Sequence, residues 1–187
     1  MFFRTYSYGT FPIFVPTTSI DLTIMDIEER IRRLEDIEAI RYLQAKYQRC
    51  LDTRDFESLS ECFANNAVSS YDGGSMTYKG SDEIIAFLKK VMTLDMPSSH
   101  LIHGGEIDIL STTSATAKWY LEDHLLHKKY LVKLHGAAVY DVKYVKEDSQ
   151  WKIAEIGYQR CYQYIERRPV LNLFTLAKTT FLDRLKH

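Results

Sequence analysis

Apolar residues recur at threes and fours from Ile27 onward: Ile27, Ile31, Leu34, Ile37, Ile40, Leu43, Tyr47 and Leu51. That spacing lays one side of an α-helix against a core, so a long amphipathic helix is predicted over 27–51, with Glu, Arg and Lys on its solvated side. Asp26 followed by Glu29 marks its start, a carboxylate able to cap free N–H groups with an acid three residues on. The run DTRD at 52–55 breaks the pattern, and 56–63 predicts a short second helix under the same apolar layer. Strands over 67–71 and 76–78 flank an Asp72-Gly73-Gly74 turn. A third helix capped by Ser81 follows over 81–92, with Ile84, Ile85, Leu88 and Val91 facing in.

From His100 the period changes to two. Four long strands are predicted over 99–110, 114–127, 130–146 and 150–163, with turn-rich joints at 111–113 and 147–149. Helices first and strands second imply an α+β fold, a curved antiparallel sheet with the N-terminal helices packed on its concave face. The space between that face and the long helix is the natural pocket. Residues 26–168 form the one α+β domain of this reading. Residues 1–25, aromatic and threonine-rich with Pro12 and Pro16, form an N-terminal extension, flexible or packed on a partner, and Met25 is an alternative start. Residues 169–187 form a C-terminal helical segment, with a helix over 171–185.

Within the second predicted strand, Ala115, Ala117, Trp119, Leu121 and Asp123 share one side, and Thr116, Lys118, Tyr120 and Glu122 the other. An acid on the apolar side of a strand costs desolvation unless a partner meets it, so Asp123 belongs to an ion pair or to a site. Five titratable residues fall on inward faces: Tyr47, Asp52, His100, Asp123 and Arg160. Histidine is matched to proton transfer near neutrality, a carboxylate on its second ring nitrogen fixes its tautomer, and a tyrosine can hydrogen-bond a carbonyl. Asp52 lies about 140° around an ideal helix from Tyr47, so both reach one pocket only if the helix ends near Leu51. By strand parity Tyr158, Arg160 and Tyr162 share a face. Together with Trp119 and Leu121, the tyrosines would line a pocket for a flat, apolar, polycyclic molecule. The plainer alternatives are a buried Asp–Arg salt bridge, a core tyrosine, and aromatics that only fill the interior.

Composition narrows the partners. The 187 residues suffice for one filled core, and 24 basic against 25 acidic side chains give a net charge of −1. Neither nucleic acid nor an anionic membrane is the expected partner. No apolar run nears the roughly 18 residues of a membrane span. Cys50, Cys62 and Cys161 are an odd number with no zinc-motif spacing, which points to reduced thiols in a cytoplasmic setting. No metal site is expected. His100/His103 and His124/His127 are three apart, and on a strand such residues point to opposite faces; a site built from one of each would need Asp123 as third ligand. Gly73-Gly74 and Gly104-Gly105 read as turn or bulge glycines rather than a phosphate cradle.

The segments DIEAI at 36–40, KYQRCLD at 46–52, WYLED at 119–123 and GYQR at 157–160, with His100 in SHLIHGGEI, resemble the bacterial bile-acid 7α-dehydratases of the SnoaL-like, or nuclear transport factor 2-like, superfamily. The likeness spans about 27–168. It implies a cystatin-like cone and a cofactor-free lyase that eliminates water from a hydroxylated steroid-like ketone. Tyr47 would stabilise the dienolate, His100 would take the proton, Asp123 would support the imidazole, and Asp52 or Arg160 would organise the rest. The lining over 69–80 and 128–138 departs from the family pattern and leaves the substrate open, whether free, thioester-linked or polyketide-like. An isomerase or polyketide cyclase on the same fold, and a binding or assembly module presenting Tyr120 and Tyr144 outward, are the alternatives. Relatives of this kind form trimers, so a homo-oligomer is expected, a trimer before a dimer.

Overall fold

The computed structural model describes residues 26–71 and 74–167. The N-terminal extension, the helix expected over 171–185 and most of the 72–74 turn lie outside the described residues. The elements are α1 (Ile27–Thr53), α2 (Phe56–Ser60), β1 (Phe63–Tyr71), β2 (Met76–Lys79), α3 (Ser81–Val91), β3 (Ser98–Ile109), β4 (Ser114–His127), β5 (Val132–Glu147) and β6 (Gln150–Arg167). Among the described residues no helix is long and apolar enough to cross a membrane.

Helix α1 starts where its sequence says. The Asp26 carboxylate accepts the Glu29 N–H at 2.8 Å, and Glu28 and Glu29 occupy the first turn, where the helix dipole favours acids. It stops where Arg54 enters the left-handed region, φ 61°, and its N–H turns back to the carbonyls of Cys50 and Leu51. The apolar stripe is used only in part. Ile40, Leu43, Tyr47 and Leu51 are buried, whereas Ile27, Ile31 and Leu34 are 64%, 49% and 66% exposed, because no described layer covers the first turns. The polar side, in turn, is not all solvated. Asp36 is buried and accepts from Lys146 Nζ at 2.5 Å and Trp151 Nε1 at 2.8 Å, and buried Gln44 accepts from the Tyr144 hydroxyl at 2.5 Å.

Several boundaries differ from those read in the sequence, by four residues at the start of β1 and the end of β6, and two joints have a plain cause. Helix α2 ends at Ser60 rather than running to Phe63, because Phe63 pairs with Ile153 and the Cys62 carbonyl takes the Ile153 N–H at 2.8 Å. Gly80, φ 87°, precedes α3 in place of a Ser81 cap, and the joint is held by Glu83 Oε2 accepting the Lys79 N–H at 2.8 Å.

The six strands form one curved, unclosed sheet in the order β2-β1-β6-β5-β4-β3. It is mixed rather than wholly antiparallel, since β1 runs parallel to β6. Only strands joined by tight turns must be antiparallel, and β1 reaches β6 after α3 and four intervening strands. Bulges interrupt the pairing at Gly104 in β3 and at Ala154 and Cys161 in β6. Each inserts one residue and exchanges inside and outside beyond it. Tyr144, assigned outward by sequence, shares the inward parity of Tyr140 and Val142 and is buried.

Candidate active site

Residues from the last turns of α1, from α3 and from β3–β6 surround a cavity of about 410 Å³. Tyr47, Leu51, Leu88, Met92 and Met96 line it from the helical side, and His100, Leu121, Asp123, Tyr158, Arg160 and Gln163 from the sheet. Asp52 does not line it. Helix α1 runs on through Thr53, so Asp52 stays on a different side of the helix from Tyr47, as a 100° step per residue requires.

What meets the histidine is nevertheless Asp52. Its Oδ1 lies 2.6 Å from His100 Nδ1, its Oδ2 accepts the His100 backbone N–H at 2.8 Å, and Oδ1 also accepts the Ser98 hydroxyl at 2.7 Å. Arg54 locks the joint: its guanidinium donates to Ser98 Oγ at 3.0 Å and to the carbonyls of Asp52 and Met96. Burial works to raise the Asp52 carboxyl, but the His100 ring, the His100 N–H and the Ser98 hydroxyl outweigh it and hold the group below its ordinary range. An ionised Asp52 accepts the Nδ1 proton, which leaves Nε2 as the basic atom of the ring.

Asp123 takes the other role weighed in the sequence, the ion pair. Arg160 Nη1 and Nη2 donate to its two oxygens at 2.5 and 2.6 Å, and Asp123 is 2% exposed. Burial would lower the Arg160 guanidinium, but the Asp123 carboxylate outweighs it and raises it. Gly136, opposite Asp123 on β5, makes room for the pair: a Cβ there would stand 2.7 Å from Arg160 Nη1 and 3.1 Å from Asp123 Oδ1. Arg160 also lies 4.9 Å above the Tyr158 ring.

Of the four residues expected to line the pocket, Leu121 and Tyr158 do so. Trp119 does not. It belongs to the core, donating Nε1 to the Tyr144 hydroxyl at 3.0 Å, with its ring against Gly105, where a Cβ would be 2.3 Å away. Tyr162 is 51% exposed, because the Cys161 bulge turns it outward and brings Gln163 in. The sequence reading missed Arg54, Ser98, Gly136 and two further phenols, Tyr71 and Tyr140. Gly136 carried a signal, a glycine in mid-strand marking a close approach. Burial raises Tyr47 and Tyr140 well above the ordinary phenol value and Tyr71 to about 12. All three are neutral at pH 7, so the cavity joins an oriented imidazole to hydroxyl donors in apolar surroundings, a set able to accept a proton from carbon and steady the oxyanion that forms.

The profile of the SnoaL-like domain family matches residues 32–156, two thirds of the chain. The chain belongs to the SnoaL-like domain family. Solved structures agree on the fold. A scytalone dehydratase-like protein from Novosphingobium aromaticivorans is 21% identical with a TM-score of 0.69, over 75% of this chain and 93% of that one. A hexachlorocyclohexane dehydrochlorinase of the LinA type from Novosphingobium barchaimii is 19% identical with a TM-score of 0.67, over 73% and 94%. An NTF2-like protein with a cystatin-like fold from Novosphingobium aromaticivorans is 22% identical with a TM-score of 0.62, over 77% and 92%. Asp52, His100 and Asp123 lie within the matched residues, and Arg160 lies just beyond them on β6.

Proposed function

We propose that this SnoaL-like domain is a cofactor-independent dehydratase acting on a hydroxylated, steroid-like or other polycyclic ketone. The observation that carries the reading is the Asp52–His100 contact at 2.6 Å beside an apolar cavity. His100 Nε2 takes a proton from carbon conjugated to the ketone. The C–H electrons become the new double bond, the C–O electrons leave with the hydroxyl, and the proton held by the imidazolium completes the departing water. Tyr47 donates to the enolate oxygen. Arg160, whose charge Asp123 balances and whose Nε–H is buried without a partner among the described residues, is the donor nearest in type to what a departing hydroxyl needs. Elimination names among the relatives of similar fold, a dehydratase-like protein and a dehydrochlorinase, support this class. The bile-acid 7α-dehydratase resemblance of the quoted motifs supports the substrate class.

The test is an ultraviolet scan of purified protein with a 7α-hydroxy-3-oxo-4-ene steroid, free and thioester-linked, followed by mass analysis of the product. A longer conjugated dienone, lighter by one water, is expected. His100→Ala should slow its formation by about 10²–10⁴-fold, the usual worth of a general base. Unchanged turnover by that variant would refute the role of His100, and a product of unchanged mass would make the protein an isomerase. No product from any steroid, with hydroxylated phenols dehydrated instead, would move the substrate to the polyketide class.

A further inference from the structure

Leu121, Asp123 and Leu125 of β4 face the cavity, so Tyr120, Glu122 and His124 project from the opposite face of the sheet. His135 of β5 stands directly across from His124 and projects with it. There the two imidazoles converge on one carboxylate oxygen. His124 Nε2 is 3.2 Å and His135 Nε2 3.0 Å from Glu122 Oε1, the rings stack at 4.2 Å and 13°, and one donor atom from each of the three residues lies within 4.8 Å of the others. His103 of β3 places its Nε2 3.9 Å from the second Glu122 oxygen. Tyr164 and Tyr162 close edge-on against the His135 ring, at 5.4 and 6.1 Å, and fix its plane.

We propose that Glu122, His124 and His135 form a binding site for one divalent transition ion of the zinc type, with His103 within reach as a fourth ligand. His100 and His103 diverge as expected: His100 lines the cavity while His103 joins Glu122 on the other face. Convergence comes instead from residues two apart on one strand and from a partner across the ladder, and the third donor is Glu122 rather than Asp123. The spacing suits an ion. Zinc bonds of about 2.0–2.2 Å in tetrahedral geometry hold their ligand atoms about 3.3–3.5 Å apart, a few tenths beyond the present 3.0 and 3.2 Å. The donors sit on paired strands, so no backbone shift is needed, but the near-parallel rings must open by rotation of the His124 side chain to bring both Nε2 lone pairs onto one ion. Two imidazoles with one carboxylate select zinc, copper, nickel or cobalt over calcium or magnesium, which take oxygen ligands. The three side chains are 40%, 36% and 18% exposed, so the ion they hold would have its fourth position filled by His103 or by solvent. The site lies on the far face of the sheet from the cavity and does not depend on the reaction proposed there.

The test uses the full chain without an affinity tag, stripped with a chelator, and titrated with Zn²⁺ by calorimetry and with Co²⁺ by visible absorption. One ion per chain is expected, micromolar or tighter, with the Co²⁺ ligand-field bands of a four- or five-coordinate nitrogen and oxygen site. His135→Ala and Glu122→Gln should each weaken Zn²⁺ by at least about 100-fold, the upper end of what loss of a mere outer-sphere partner costs. Glu122→Gln keeps an oxygen acceptor and its shape, so it tests the site even if His135→Ala misfolds by circular dichroism. Millimolar Zn²⁺ binding, or tight binding that Glu122→Gln leaves untouched, would overturn the assignment.

Discussion

Asp52 and Asp123 stand on either side of the cavity chemistry, and their partners give their loss different consequences. In Asp52→Asn the amide oxygen, in the place of Oδ2, can still accept the His100 N–H, and the amide group in the place of Oδ1 can donate to the Ser98 oxygen, so the fold should persist. The amide N–H would then face His100 Nδ1 and move the ring proton to Nε2, the atom that must be free to accept. The expected outcome is a fall in kcat on the order of 10²–10⁴-fold with an unchanged denaturation midpoint. Asp123→Asn instead leaves the Arg160 guanidinium buried beside a neutral group. Breaking one half of a buried pair costs about 3–5 kcal/mol, so here the denaturation midpoint should fall. Equal loss of stability in both variants would remove the distinction. The five titratable residues were readable by type and by family likeness, but their pairing was not. Asp123 shares a strand face with Trp119 and on the family likeness belongs to the histidine, whereas His100 Nδ1 meets Asp52 from the helix end. Arg54, whose left-handed turn ends the helix, braces that pairing through Ser98, at a position where sequence shows only an interrupted helix.

Element boundaries follow period and punctuation closely, and what period cannot supply is the phase of a strand after an inserted residue. Helix α1 and strand β4 occupy almost the predicted spans. Beyond Cys161, however, the parity of β6 reverses, which is why Tyr162 leaves the cavity and Gln163 enters it. A polar-apolar string has no mark for such an insertion unless a glycine supplies one. Gly104 supplies one, with φ 36° at the β3 bulge, and the pair Gly104-Gly105 reads as a bulge in sequence. The parallel run of β1 beside β6 is equally silent, since nothing local to β1 sets its direction. Gly105 has a second duty that makes a test. Its missing side chain admits the Trp119 ring, three atoms of which would lie 2.3–2.7 Å from a Cβ, and Trp119 is held in place by the Tyr144 hydroxyl. Gly105→Ala should therefore cost about 1–3 kcal/mol by overpacking, read as a lower midpoint in urea. A midpoint unchanged from the parent would mean that the indole shifts freely and does not set the β3–β4 register.

The cavity is useful to an enolate only if the phenols around it stay neutral and dry, and the molecule's response to alkali tests that. Burial raises Tyr47, Tyr140 and Tyr144 well above the ordinary phenol value and Tyr71 to about 12. In the unfolded chain all four would ionise near pH 10. Above that pH the folded state holds protons that the unfolded state has lost, so stability is full below about pH 10 and falls as pH rises toward the folded values. With four such protons the slope approaches roughly 5 kcal/mol per pH unit, against a total stability of about 5–15 kcal/mol for an ordinary domain. The chain should therefore unfold before these phenols ionise in place. In an alkaline titration a cooperative part of the phenolate absorbance should rise in the same step in which far-ultraviolet circular dichroism is lost. Gradual ionisation of every tyrosine near pH 10, with the dichroism intact, would show water reaching Tyr47 and Tyr140 in the folded protein. Their hydroxyls would then be solvated donors, and the preorganised oxyanion site that the proposed elimination requires would be gone.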